Sequence, residues 1–233
     1  MDRLCIICNT RKPESQFEKK GEHVVPRFLG NRRFRTPFVC TDCNNGLGGT
    51  VDVALKNVFS VMLACYDRGV SGRPPAAAVA KSAVSESMPP ENLDVRGAIL
   101  KIAYEAAHLR LGNNWLDDPI AVALRNVLFA YVGKNKKAAH EFIGSLEVHG
   151  ISIALFYYDM NRTRSEFVKQ AIISKSCLNA LWLAPVKIRP GKRPLAIVFD
   201  IEGLPPGYVV VSDSDWGTGA PELLAPKLKI SPI

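Results

Sequence analysis

Two Cys-x-x-Cys pairs, Cys5/Cys8 and Cys40/Cys43, bracket the run Glu22-His23-Val24-Val25-Pro26, and Asn44 follows the last cysteine directly. Four thiolates suit a closed tetrahedral zinc site, and a two-residue spacer lets each pair fold as a tight knuckle on one cation. The same four cysteines would also staple a small loop-rich segment that is too poor in apolar residues to fold unaided. Those two readings agree. Glu22, His23 and Asn44 offer a different chemistry. A carboxylate and an amide oxygen suit a hard ion such as Mg²⁺ or Mn²⁺. An imidazole beside them can accept a proton from water near neutral pH. Asn44 adjoins Cys43, so a zinc knuckle would fix its position.

Lys19, Lys20, Arg27, Arg32, Arg33 and Arg35 surround these residues. Taken singly, each is an ordinary solvated charge. Together they are able to neutralise several backbone phosphates, which gives salt-sensitive and largely sequence-independent binding. Phe34 and Phe38 interleave with the cations and either stack on a base or pack a small core. The other histidines, His108, His140 and His149, have no second ligand at suitable spacing. Cys65 and Cys177 read as buried thiols, and Glu105 and His108 stand one helical turn apart.

The combined pattern resembles the zinc-knuckle type of HNH endonuclease. It comprises Cys5-x2-Cys8, Glu22-His23-Val24-Val25-Pro26, Leu29-Gly30, Cys40-x2-Cys43-Asn44, Leu47-Gly48 and Asp52. The resemblance implies a ββα-metal module, a β-hairpin followed by a helix, clasping one catalytic divalent ion. It implies that His23 activates the attacking water while Glu22 and Asn44 ligate a Mg²⁺- or Mn²⁺-type ion, beside a structural zinc on Cys5, Cys8, Cys40 and Cys43. The implied substrate is nucleic acid, DNA being favoured, and a host-defence or mobile-element role would suit the family. One feature departs from the pattern. Members carry a middle Asn shortly before the second knuckle that orients the histidine. Here Arg35-Thr36-Pro37-Phe38-Val39 holds none, so Thr36 or Asn31 takes that task or His23 is less firmly held. A non-catalytic zinc-knuckle protein that binds DNA or RNA is the competing reading.

Composition sets the frame around this segment. The chain has 233 residues, a net charge of +8 and a sequence pI near 9.2. Hydrophobic residues make up 47% and charged residues 22%, so it is expected to fold rather than remain disordered. No apolar run approaches the roughly 18 residues that span a bilayer. The start Met-Asp-Arg-Leu-Cys has no apolar core, so no signal peptide is expected. The paired cysteines read as metal ligands rather than a secreted disulfide framework, which makes a reducing cytoplasm the expected setting.

An α+β chain is expected to position these groups. Residues 1–66 form the metal-binding module, 67–92 a Gly/Pro/Ala-rich linker, and 93–233 an α+β domain whose task is substrate selection, regulation or dimerisation. Apolar residues from Val51 to about Tyr66 recur at helical spacing. Leu93 to Leu111 is a second amphipathic helix stopped by Gly112, and Asp117-Asp118-Pro119 opens a third that runs through Tyr131. Beyond Glu141 the reading turns to antiparallel strands at Ser145–Tyr158, Gln170–Ser174, Ala180–Val186, Leu195–Phe199 and Tyr208–Val211. A hairpin connection is placed at Asp159 to Thr163.

Overall fold

The computed structural model describes residues 2–30, 34–67, 69–70, 92–148, 177–185, 194–201, 203–204, 207–213 and 222–223. Mixed helices and small antiparallel sheets make up the fold. Strands β1 (Asp2–Cys5) and β2 (Thr10–Pro13) form a hairpin that carries the first knuckle at its turn. Strands β3 (Glu22–His23) and β4 (Arg35–Thr36) form a second, with Glu22 opposite Thr36 and His23 opposite Arg35. Gly21 enters β3 at φ +72, and a Cβ there would lie 2.7 Å from the Thr36 carbonyl oxygen. Only glycine meets both demands.

Helix α1 (Thr41–Leu47) follows the second knuckle, which completes the hairpin-then-helix order of the ββα unit. It runs through a π-helical turn (Gly48–Asp52) into α2 (Val53–Lys56), and α3 (Phe59–Asp67) resumes after Asn57. The helix expected from Val51 therefore begins ten residues earlier and breaks near Asn57. Its buried stripe is Cys43, Leu47, Val51 and Leu55, one apolar residue every four positions. The Asn and Gly residues between them mask that stripe in the sequence.

Helix α4 (Leu93–Leu111) has the expected boundaries. Asn92 caps it by accepting from the backbone N–H groups of Asp94 (3.0 Å) and Val95 (3.3 Å). Helix α5 (Pro119–Val132) starts at the expected Asp118-Pro119 step, with the Asp118 side chain accepting from the Ile120 N–H at 2.8 Å. Helix α6 (Lys136–Val148) corrects the strand expected from Ser145. Ala139, Ile143 and Leu146 are buried at spacings of four and three, which is helical packing rather than alternation. The rest of that strand, Gln170–Ser174 and the hairpin connection at Asp159 to Thr163 lie outside the described residues.

The C-terminal sheet has the order β7-β6-β5-β8 and is antiparallel throughout. It comprises β5 (Leu178–Pro185), β6 (Leu195–Ile201), β7 (Gly207–Ser212) and β8 (Glu222–Leu223). Every residue of β6 and β7 is buried, so this side of the sheet is covered on both faces. Trp115 ties the helices to it by donating from Nε1 to the Val211 carbonyl at 2.7 Å, and Ser212 Oγ donates to Asp118 Oδ2 at 2.9 Å.

The buried apolar residues of the N-terminal module, the helices and the sheet form one continuous cluster. Helix α4 lies at its centre, with a run of residues from Gly97 to His108 buried. Gly97 marks a close approach of α4 to its neighbours: a Cβ there would meet Tyr131 Cε2 at 2.6 Å and Val51 Cγ1 at 2.8 Å. Packing of this density couples α4 directly to the knuckle module.

Candidate functional site

The two knuckles converge. The Sγ atoms of Cys5, Cys8, Cys40 and Cys43 all lie within 4.8 Å of one another, which brings together residues from opposite ends of the module. Four sulfurs around a tetrahedral zinc stand about 3.8 Å apart at Zn–S distances of about 2.3 Å, so the cluster is of the right size and donor softness for that ion. The backbone supports it. Cys40 donates its N–H to Cys5 Sγ at 3.4 Å, and Ile6 donates its N–H to the Phe38 carbonyl at 2.9 Å, locking one knuckle to the other. The hydrogen bond with Cys43 draws the Cys5 thiol down to about 4, whereas that contact and burial push Cys43 up. Close sulfurs compete for protons in this way, and a cation that binds all four displaces them. Cys65 and Cys177 belong to a separate place. Both are buried, with Sγ atoms 2.8 Å apart, joining α3 to the start of β5.

Glu22 and His23 are consecutive on β3, so their side chains leave opposite faces of the strand. His23 is half-buried and shares its face with its cross-strand neighbour Arg35. Glu22 is buried and turns towards α4, where its Oε1 lies 3.4 Å from Lys101 Nζ. Burial pushes the Glu22 carboxyl up and the Lys101 charge pulls it back. Asn44, in the first turns of α1, donates from Nδ2 to Glu18 Oε1 at 3.2 Å. Its amide oxygen is then the atom it can offer a cation. The Glu18 charge also adds to the upward push on the Glu22 carboxyl. No sequence signal singled Glu18 out.

Thr36, one candidate for the missing middle Asn, sits opposite Glu22 rather than His23, and its hydroxyl accepts from the Phe38 N–H at 3.3 Å. The other, Asn31, lies outside the described residues, as do Arg32 and Arg33. Lys19, Lys20 and Arg27 are exposed and form the open part of the expected basic cluster. Arg35 donates from a guanidinium nitrogen to the Gly21 carbonyl at 2.7 Å, which holds the β3–β4 hairpin together. Phe34 and Phe38 are part-buried against the core.

Behind the hairpin lies a group of buried charges that the sequence did not announce. Lys101 is fully buried, and its Nζ is 2.8 Å from Asp52 Oδ2 in addition to its contact with Glu22. Glu105, one turn further along α4, is also fully buried, with no hydrogen bond to either carboxyl oxygen among the described residues. Burial drives its carboxyl well above the usual range, against the pull of Lys101. The turn-apart neighbour His108 bonds Asn113 Oδ1 at 3.0 Å instead and meets the Phe38 ring edge-on, with burial pulling its pKa down. His140 pairs with Asp94 at 2.8 Å, away from the module, and His149 is outside the described residues.

Residues 5–60, the stretch holding both knuckles, the β3–β4 hairpin and the helix after it, match the sequence model of the HNH endonuclease family. No curated protein and no solved structure matches the chain.

Proposed function

We propose that this chain, whose residues 5–60 form an HNH endonuclease module, hydrolyses phosphodiester bonds of nucleic acid, with DNA as the first substrate to test. Glu22 and Asn44 hold a Mg²⁺- or Mn²⁺-type ion, His23 is the general base, and Cys5, Cys8, Cys40 and Cys43 hold a structural zinc. The observation that carries this reading is the four-sulfur cluster. By closing on one point it fixes the position of Asn44, which follows Cys43 directly.

The residues divide the work. His23 takes a proton from water as the water oxygen bonds to phosphorus; the bond from phosphorus to the 3′-oxygen breaks, and that oxygen is protonated by solvent. The products are a 5′-phosphate and a 3′-hydroxyl. A bound divalent ion supplies Lewis-acid stabilisation of the charge that develops on the phosphate and the leaving oxygen. Lys19, Lys20 and Arg27, with Arg32 and Arg33, attract the polyanion, while Arg35 keeps the hairpin in shape. The helices and sheet beyond Leu93 select the substrate, regulate the module or pair two copies so that both strands are cut. A reducing cytoplasm, where the thiols stay free to bind zinc, is the compartment this chemistry suits.

The test is nicking of supercoiled plasmid DNA by purified protein with Mg²⁺ or Mn²⁺. His23→Ala is expected to abolish nicking while zinc content and DNA binding persist. Equal nicking by the variant removes His23 as the base. Tight binding by the native protein with no cleavage under any divalent ion favours the non-catalytic binder.

A further inference from the structure

We infer that Lys101, on α4 and outside the segment that matches the nuclease family, is a positioning residue of the site: together with Asp52 it fixes the carboxylate of Glu22. The inference rests on the proposed role of Glu22 as a metal ligand. Three observations carry it. Lys101 has no exposed surface at all, so its ammonium is retained in the core at a desolvation cost that only close anionic partners offset. Its two contacts are unequal: 2.8 Å to Asp52 and 3.4 Å to Glu22. Asp52 closes the π-helical turn that interrupts the helix after the second knuckle, a kind of insertion that is frequent at functional sites.

The inequality is the point of the arrangement. Asp52 takes the short, charge-assisted bond and so holds the ammonium in place. Glu22 feels that charge at longer range. An ionised carboxylate offers about four lone-pair positions, and one long contact takes up only part of that capacity. Without Lys101, buried Glu22 and part-buried Asp52 become two like charges with no cation between them, and Glu22 loses its fixed direction. Glu105 contributes further negative potential on the same helix whenever it is ionised. Helix α4 thus completes a site whose other parts all lie before residue 60. Outer partners of metal ligands act in this way, and their loss typically weakens metal binding about 10–100-fold.

The experiment uses the full-length, zinc-loaded protein and reads Mn²⁺ binding by electron paramagnetic resonance alongside Mn²⁺-dependent nicking. Lys101→Met, close in shape and uncharged, is expected to weaken Mn²⁺ binding by about tenfold or more with zinc content unchanged. In a Glu22→Gln background the same substitution is expected to change Mn²⁺ affinity no further, because its effect passes through Glu22. Unchanged affinity in the single variant, or a loss that adds in full to that of Glu22→Gln, overturns the inference. Should Lys101→Met not fold, Asp52→Asn decides. It hands the ammonium to Glu22 and is expected to weaken Mn²⁺ binding too, and native-like affinity overturns the inference. Failure of the nuclease reading looks different: native protein that neither binds Mn²⁺ nor nicks DNA sinks the reading and the inference together.

Discussion

Tyr104 Oη donates a hydrogen bond of 2.9 Å to the carbonyl of Ile6, joining the middle of α4 to the first Cys-x-x-Cys knuckle across 98 positions of sequence. Both residues are fully buried. The bond satisfies a backbone acceptor that the knuckle turn leaves without a strand partner, and it makes α4 a structural wall of the metal module.

Tyr104→Phe deletes that donor without a change in shape. The Ile6 carbonyl then stays buried and unpaired, at a cost of about 1–3 kcal/mol. Urea denaturation is expected to show that loss, and zinc transfer to a chromophoric chelator is expected to quicken. A variant with native stability would show that α4 does not brace the knuckle.

Gly97→Ala probes the same interface from a point of close approach. The added methyl would overlap Tyr131 and Val51, and overpacking of this sort costs about 1–3 kcal/mol. Thermal unfolding is expected several degrees lower. No shift in melting would mean that α4 packs less closely against the helix after the knuckle.

Asp94 gives a prediction in pH. It accepts from Lys136 and from His140, which ties the start of α4 to α6. Burial alone would raise its pKa, but these partners outweigh burial and hold it below the ordinary value. A depressed carboxylate contributes stability that is present above its unfolded pKa of about 3.9 and is lost as pH falls through the lower folded value. Lys136 is half exposed, so the contribution is modest, about 1 kcal/mol or less. Asp94→Asn is expected to be less stable than native at pH 7 and to match it near pH 2. A difference that does not change with pH would place its origin elsewhere.

Zinc itself is the fourth prediction. Elemental analysis of purified protein is expected to find about one zinc per chain, the capacity of a four-thiolate site. Cys40→Ser is expected to lose the metal and unfold the module, because Cys40 supplies one of the four clustered sulfurs. Full zinc occupancy in that variant would show that the ion sits somewhere else.

Much of the module was legible because its signals are local. Cys-x-x-Cys spacing, the Glu22-His23-Val24-Val25-Pro26 run and Asn44 beside Cys43 are short-range facts, and each tight turn or strand they require is built from neighbouring residues. The same holds for α4, whose start at Asn92 and stop at Gly112 are capping chemistry written in single residues. Helix α6 was not legible in this way. A run that includes Ile143 and Leu146 reads equally as strand or helix until a partner surface is known, and α5 supplies that surface.

The amino-acid order alone determined the four-cysteine set, its spacing and the positions of the best-capped helices, because these depend on contacts within a few residues. Only the folded chain decided that Glu22 faces Lys101, that Asp52 holds Lys101, and that Glu18 reaches Asn44. A lysine in a helix sequence carries no mark of burial. Its environment is set by segments that arrive from 49 and 79 residues away, and the energy of placing a charge depends on what surrounds it rather than on its neighbours in sequence.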